Sequence, residues 1–146
     1  MLTTYQKLRD AIRDKLLGIS DFKECHRFPK LMFNGFPAVA VEPADLESDW
    51  ETNSELERTY SFNLHIYYET KVSGNDTALD KLYNIIDTVL DAFDEDQTLT
   101  DESLSLPAGN SILTINPSNQ GWEGLSDNEL IHAQVLLTIK ISTDIS

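Results

Sequence analysis

The stretch LERTYSFNLHIYYE (Leu56–Glu69) decides how this chain folds. Tyr60, Phe62, Leu64, Ile66 and Tyr68 alternate with Ser61, Asn63, His65 and Tyr67. Successive side chains of a strand point to opposite faces, so the alternation predicts one long strand with an apolar face and a mixed one. A second run, Glu129–Ser142, repeats the pattern. Ile131, Ala133, Val135, Leu137, Ile139 and Ile141 share one side; His132, Gln134, Leu136, Thr138 and Lys140 share the other.

Two apolar strand faces need a cover, and two amphipathic segments can supply it. Over residues 3–18, Tyr5, Leu8, Ile12 and Leu16 form a stripe at helical spacing with Ala11 beside it. Thr3 or Thr4 can cap its start, and Gly18 stops it. From Asn75 or Asp76 as cap to about Phe93, Leu79, Leu82, Ile86, Leu90 and Phe93 form a second stripe, widened by Tyr83 and Val89. Asp94-Glu95-Asp96 is expected just past its end, because carboxylates oppose the macrodipole at a helix C-terminus.

The remaining segments read as shorter pieces. Phe22–Phe28 can hold a short strand, and Asn34-Gly35 signals a tight hairpin turn. Pro37–Glu42 reads as a strand ended by Pro43. Residues 42–57 carry seven acids and read as a solvated loop or an extended hairpin arm. Thr98–Gly109 is a polar connection. Ser111–Asn116 is a short strand, followed by a Pro117–Gly124 loop bearing Trp122. The order is helix, two or three strands, helix, two or three strands. The economical packing is α+β: a single, mostly antiparallel (mixed) sheet with both helices on one face. The length of 146 residues fits one domain. The sheet face away from the helices keeps Asn63, His65, Tyr67, Gln134, Leu136 and Thr138, a mixture suited to solvent or a subunit contact.

Charge narrows the function. Twenty-five acids against 11 Lys and Arg give −14, which repels nucleic acid phosphates and anionic membranes and disfavours a DNA-gripping role. The single cysteine, Cys25, cannot form an internal disulfide. The N-terminus lacks the core of a signal peptide, and no apolar run approaches a membrane span.

Candidate chemistry is sparse. Cys25 and His26 are adjacent, so on a strand they point apart and cannot form a catalytic dyad. His65 and His132 fall on the mixed faces of the two long strands. If those strands are neighbours, the pair can meet and bind a metal, but a structural zinc site needs four ligands. The sequence offers neither a Cys pair nor a third placed ligand, so the two read as surface or interface histidines and no metal ligand is expected. The acids after Asp94 fail the calcium-loop pattern, with Leu99 at the glycine position and Ser105 at the closing glutamate. Asp10/Asp14 and Asp87/Asp91 lie on polar helix faces. No phosphate loop, nucleophile elbow, paired CxxC or basic stripe is present. The residues therefore imply neither enzymatic activity nor a cofactor.

FPAVAVEPADLESDWET (Phe36–Thr52), RTYSFNLHIYYET (Arg58–Thr70), ALDKLYNIIDTVLDAFDEDQTL (Ala78–Leu99) and NPSNQGWE (Asn116–Glu123) with the closing STDIS (Ser142–Ser146) together resemble the tail-terminator and head–tail joining proteins of long-tailed bacteriophages. The resemblance covers nearly the whole chain and rests on element order, size and texture. It implies a mixed sheet with helices packed on it. It also implies a hexameric ring at the head-proximal end of the tail tube, with the tail-tube protein on one side, neck or head-completion protein on the other, and DNA passing through without specific binding. The location implied is the virion, with assembly in the host cytoplasm. Glu42, Asp45, Glu47, Asp49, Trp50, Glu51, Glu55 and Trp122 are the candidate interface residues, the acidic tract serving as lumen lining or intersubunit arm. The competing readings are a neck or head-completion protein on the portal side and, in another class, a cytosolic metal- or ligand-binding domain.

Overall fold

The computed structural model describes residues 3–28, 33–50, 55–69, 75–95, 99, 106, 110–125 and 130–144. Along the chain run α1 (Thr4–Leu17), β1 (Glu24–His26), β2 (Ala38–Trp50), β3 (Glu55–Glu69), α2 (Asn75–Glu95), β4 (Asn110–Leu125) and β5 (Leu130–Asp144). The strands form one five-stranded sheet in the order β1-β2-β3-β5-β4. β1 runs parallel to β2, and the other three pairings are antiparallel. This is the α+β fold that the alternation and the helical stripes predict.

The two long alternating runs are direct neighbours at the centre. Phe62 stands opposite Leu137, Leu64 opposite Val135 and Ile66 opposite Ala133. All six are fully buried. Their shared face is covered by α1 over β1 and β2 and by α2 over β3, β4 and β5. α1 contributes Leu8, Ala11, Ile12 and Leu16; α2 contributes Leu82, Ile85, Ile86, Val89 and Phe93. Fully burying one such Leu, Ile or Phe side chain is worth about 1.5–3 kcal/mol, so the helices are held by their stripes more than by intrinsic propensity.

α1 starts at a capping box. The Thr3 hydroxyl accepts from the Gln6 N–H at 3.2 Å, and the Gln6 side chain accepts from the Thr3 N–H at 2.9 Å. Tyr5, in the first turn, meets Tyr60 and Phe62 edge-on, with centroids 5.2 and 5.1 Å away. Its hydroxyl donates to the Ala44 carbonyl at 2.8 Å.

Several local expectations are corrected. Pro43 does not end β2: the strand runs on to Trp50 through an irregularity between Pro43 and Leu46. β1 covers only Ala38–Ala40 of the outer edge of β2. Pro43 therefore sits where β2 is an edge strand, and at a bulge, two places that tolerate a residue without an N–H. The acidic tract is the extended hairpin arm of the two alternatives, as far as Trp50 and again from Glu55. Asn34-Gly35 does not close a hairpin, because β1 and β2 run parallel; its backbone is used otherwise, as shown below. Pro117–Gly124 is strand, not loop. β4 absorbs Pro117 as an outer edge strand and shifts register between Ile112 and Thr114 and between Asn119 and Gly121. In α2, Tyr83 is 48% exposed and Ile85 is buried in its stead. Asn75 is already helical, and Asp94 and Glu95 lie inside the last turn. Both acids are exposed, so water screens them from the helix dipole.

Candidate functional site

The sheet face away from α1 and α2 carries the chemistry-bearing side chains. Strand parity puts Glu42 of β2, Asn63, His65 and Tyr67 of β3, and His132 and Gln134 of β5 on this side. The register places Ala40 opposite His65 and His65 opposite Gln134, with Tyr67 opposite His132 one step along. His65 and His132 are therefore diagonal neighbours across two adjacent strands, close enough for large side chains to touch.

They do touch. His65 Nδ1 lies 2.9 Å from His132 Nε2, and His65 Nε2 lies 3.2 Å from Glu42 Oε1. A carboxylate only accepts, so the network assigns the His65 hydrogen to Nε2. The bare Nδ1 then accepts from the Nε2–H of His132. The two rings lie within 22° of parallel with centroids 5.0 Å apart. That separation is close to the nitrogen gap plus two ring radii, so the rings meet edge to edge. Tyr67 stacks on His132 at 4.7 Å and 15°, and Phe33 lies 5.0 Å from Tyr67. The His65 side chain is only 16% exposed. The hydrogen bond from His65, with a weaker one from Asn63 at 3.4 Å, holds the Glu42 carboxyl below its ordinary range against a smaller opposing effect of burial.

A second cluster lies at the β1 edge. The Glu24 carboxylate accepts the backbone N–H groups of Asn34 and Gly35 and lies 2.8 Å from His26 Nε2. Burial raises its pKa, but the hydrogen bonds from Gly35, His26 and Asn34 and the His26 charge outweigh it and lower the value overall. The Asn-Gly pair thus serves as an anion cradle for Glu24. A Cβ on Gly35 would lie 3.1 Å from the Lys23 Cβ, so the close approach favours glycine. Cys25 points the opposite way, into the core, and burial pushes its thiol up to about 11 despite the opposing charge of Arg13. The Cys25-His26 pair is split between faces, as adjacent strand positions require.

The candidate interface residues do not gather at one point. Glu42 is in the histidine network. Asp45 lies in the β2 irregularity; Glu47, Asp49 and Trp50 stand opposite Thr59, Glu57 and Leu56. Glu55 stands opposite Asp144, and Glu51 lies outside the described residues. Trp122 is on a strand opposite Ala133, not on a loop. A shallow cavity of about 440 Å³ lies where α2 ends over β4 and β5, lined by Asp94, Thr114, Ile115, Asn116, Thr138 and Lys140.

A solved structure shares this fold. It is a chain in the structure described as the virion of a native gene transfer agent (GTA) particle. The TM-score is 0.54 at 16% identity, over 94% of this chain and 90% of that one. At that identity the likeness establishes the fold alone, and it does so for almost the full length of both chains. No protein-family model matches the sequence, and no curated protein matches it.

The histidine network escaped the sequence reading except as a condition. Alternation placed both imidazoles on mixed faces, but only strand order makes them neighbours. The roles of Glu42 as acceptor and of Tyr67 as a stacking platform had no local signal. Among the described residues no helix is long and apolar enough to cross a membrane.

Proposed function

We propose that this chain is a non-enzymatic virion assembly protein, a tail terminator whose copies form a ring that caps the tail tube and joins it to the neck and head. The observation that carries the reading is the near full-length fold likeness to a chain of a GTA virion particle. The element order and texture that resemble the tail-terminator family support the finer assignment. Charge is consistent with it. Six copies at −14 each would carry roughly −84, and an acidic passage lets DNA slide without adhering.

In this reading the acidic β2–β3 hairpin, Glu42 to Glu57, lines the lumen or reaches a neighbouring copy, and Trp122 contributes to a contact. The partners are further copies of the chain, the tail-tube protein and a neck or head-completion protein. The site of action is the virion, after assembly in the host cytoplasm. Electron microscopy of particles assembled without the protein tests the assignment. Overlong or headless tubes are expected. Tails of normal length joined to heads would dismiss it, and cross-links confined to portal-side protein would reassign the chain to the neck.

A further inference from the structure

We propose that His65 and His132 form a cross-strand binding site for a divalent transition-metal ion of the zinc class, ligated through His65 Nδ1 and His132 Nε2 and oriented by Glu42. Three features of the geometry lead there. First, the two nitrogens already face each other at 2.9 Å. Two imidazole nitrogens on a tetrahedral zinc stand about 3.3 Å apart, so opening the gap by a few tenths of an ångström and hinging the rings replaces the shared hydrogen with a metal. Secondly, the other nitrogen of His65 is held by the Glu42 carboxylate at 3.2 Å. This carboxylate–histidine arrangement fixes the tautomer that leaves Nδ1 unprotonated, the form that ligates once the His132 hydrogen has moved, and it raises the basicity of the ring. Thirdly, Tyr67 stacked on His132 restrains the second ring.

The proton inventory balances. With both rings neutral, metal entry requires His132 to carry its hydrogen on Nδ1 instead of Nε2, and no net proton is lost. Imidazole nitrogen suits zinc, copper and nickel more than magnesium or calcium. The strongly negative chain concentrates cations around it. Among the described residues no group of three or more His, Cys, Asp or Glu forms a metal-binding set. Among the described residues the site is thus a two-nitrogen platform, to be completed by water or by a further donor. Metal binding at this pair does not depend on the assembly role.

Calorimetric titration of the full chain with zinc chloride tests it. One equivalent per chain is expected, with the affinity reduced at least tenfold in His65→Gln and in His132→Gln and about tenfold in Glu42→Gln. His26→Gln, at the separate β1 cluster, is the control and should bind as the wild type does. Nitrogen NMR of the unaltered protein guards against misfolded variants: zinc should shift His65 Nδ1 and His132 Nε2 and leave the His26 ring unmoved. Absence of binding, unchanged affinity in either histidine variant, or shifts at His26 alone would overturn the site.

Discussion

At the scale of single residues, burial and hydrogen bonding decide which side chains are reactive and which are fixed. Cys25 sits in the core with its thiol pushed up to about 11 by burial, so it is a packing residue and not a nucleophile. Glu24 and Glu42 are the opposite case: bonding to neighbouring N–H groups holds both carboxyls below their ordinary value of 4.5. A carboxyl lowered on folding stabilises the native state in full above its unfolded value, and that contribution is lost as pH falls through the folded value. The window lies below 4.5. Urea midpoints at about pH 5.5 and about pH 3 should therefore fall less in the double variant Glu24→Gln, Glu42→Gln than in the wild type. An equal or steeper fall in the variant would show that these two carboxylates do not carry the acid sensitivity.

At the scale of elements, α1 is attached to the sheet partly through one side chain. Tyr5 packs on Tyr60 and Phe62 and donates to Ala44, whose carbonyl lies in the irregular stretch of β2. Removing only the hydroxyl, Tyr5→Phe, should cost about 0.5–1.5 kcal/mol. Removing a central ring, Phe62→Ala, should cost about 3–5 kcal/mol, because Phe62 is completely buried between both helices' layer and the sheet centre. Urea denaturation orders the two. A larger loss for Tyr5→Phe would mean that the β2 irregularity depends on that hydrogen bond more than the core depends on its ring. Edge position also explains the two strands that the sequence foreshortened. Pro43 and Pro117 look like strand breakers in isolation, yet both occupy places where the missing N–H leaves no central ladder bond unmade.

At the scale of the whole molecule, charge is unevenly spread. Residues 1–30 hold seven of the 11 Lys and Arg and only four of the 25 acids, so the remainder of the chain carries more than the full net negative charge. Such a surface repels itself when salt is low. Raising sodium chloride from about 0.01 M to about 0.15 M shortens the screening length from about 30 to about 8 Å, and the thermal midpoint of the isolated protein should rise. A midpoint that falls would indicate that attractive pairs, such as Arg9 with Asp10 at 2.9 Å and Lys140 with Glu57 at 3.7 Å, outweigh the repulsion. The same imbalance would bear on the ring proposed above, because negatively charged copies approach most readily where those surfaces are kept apart or turned toward a cation or a basic segment.

The sequence alone determined most of which residues go inside, the exchange of Tyr83 for Ile85 on α2 being the exception. Period-2 and period-3.6 spacing depend only on backbone geometry, so the two long strands, the two helical stripes and the polarity of His65 and His132 follow from local order. It also made Cys25 and His26 an impossible dyad, since neighbouring strand positions diverge. Tertiary structure decided everything that depends on strand order. It placed β3 beside β5 although His65 and His132 are 67 residues apart, turned Asn34-Gly35 from a hairpin signal into a cradle for Glu24, and put both prolines at tolerant edges. Those outcomes are choices of pairing partner and register. They are set by how the apolar faces bury together across the whole sheet, and no window of local sequence contains that information.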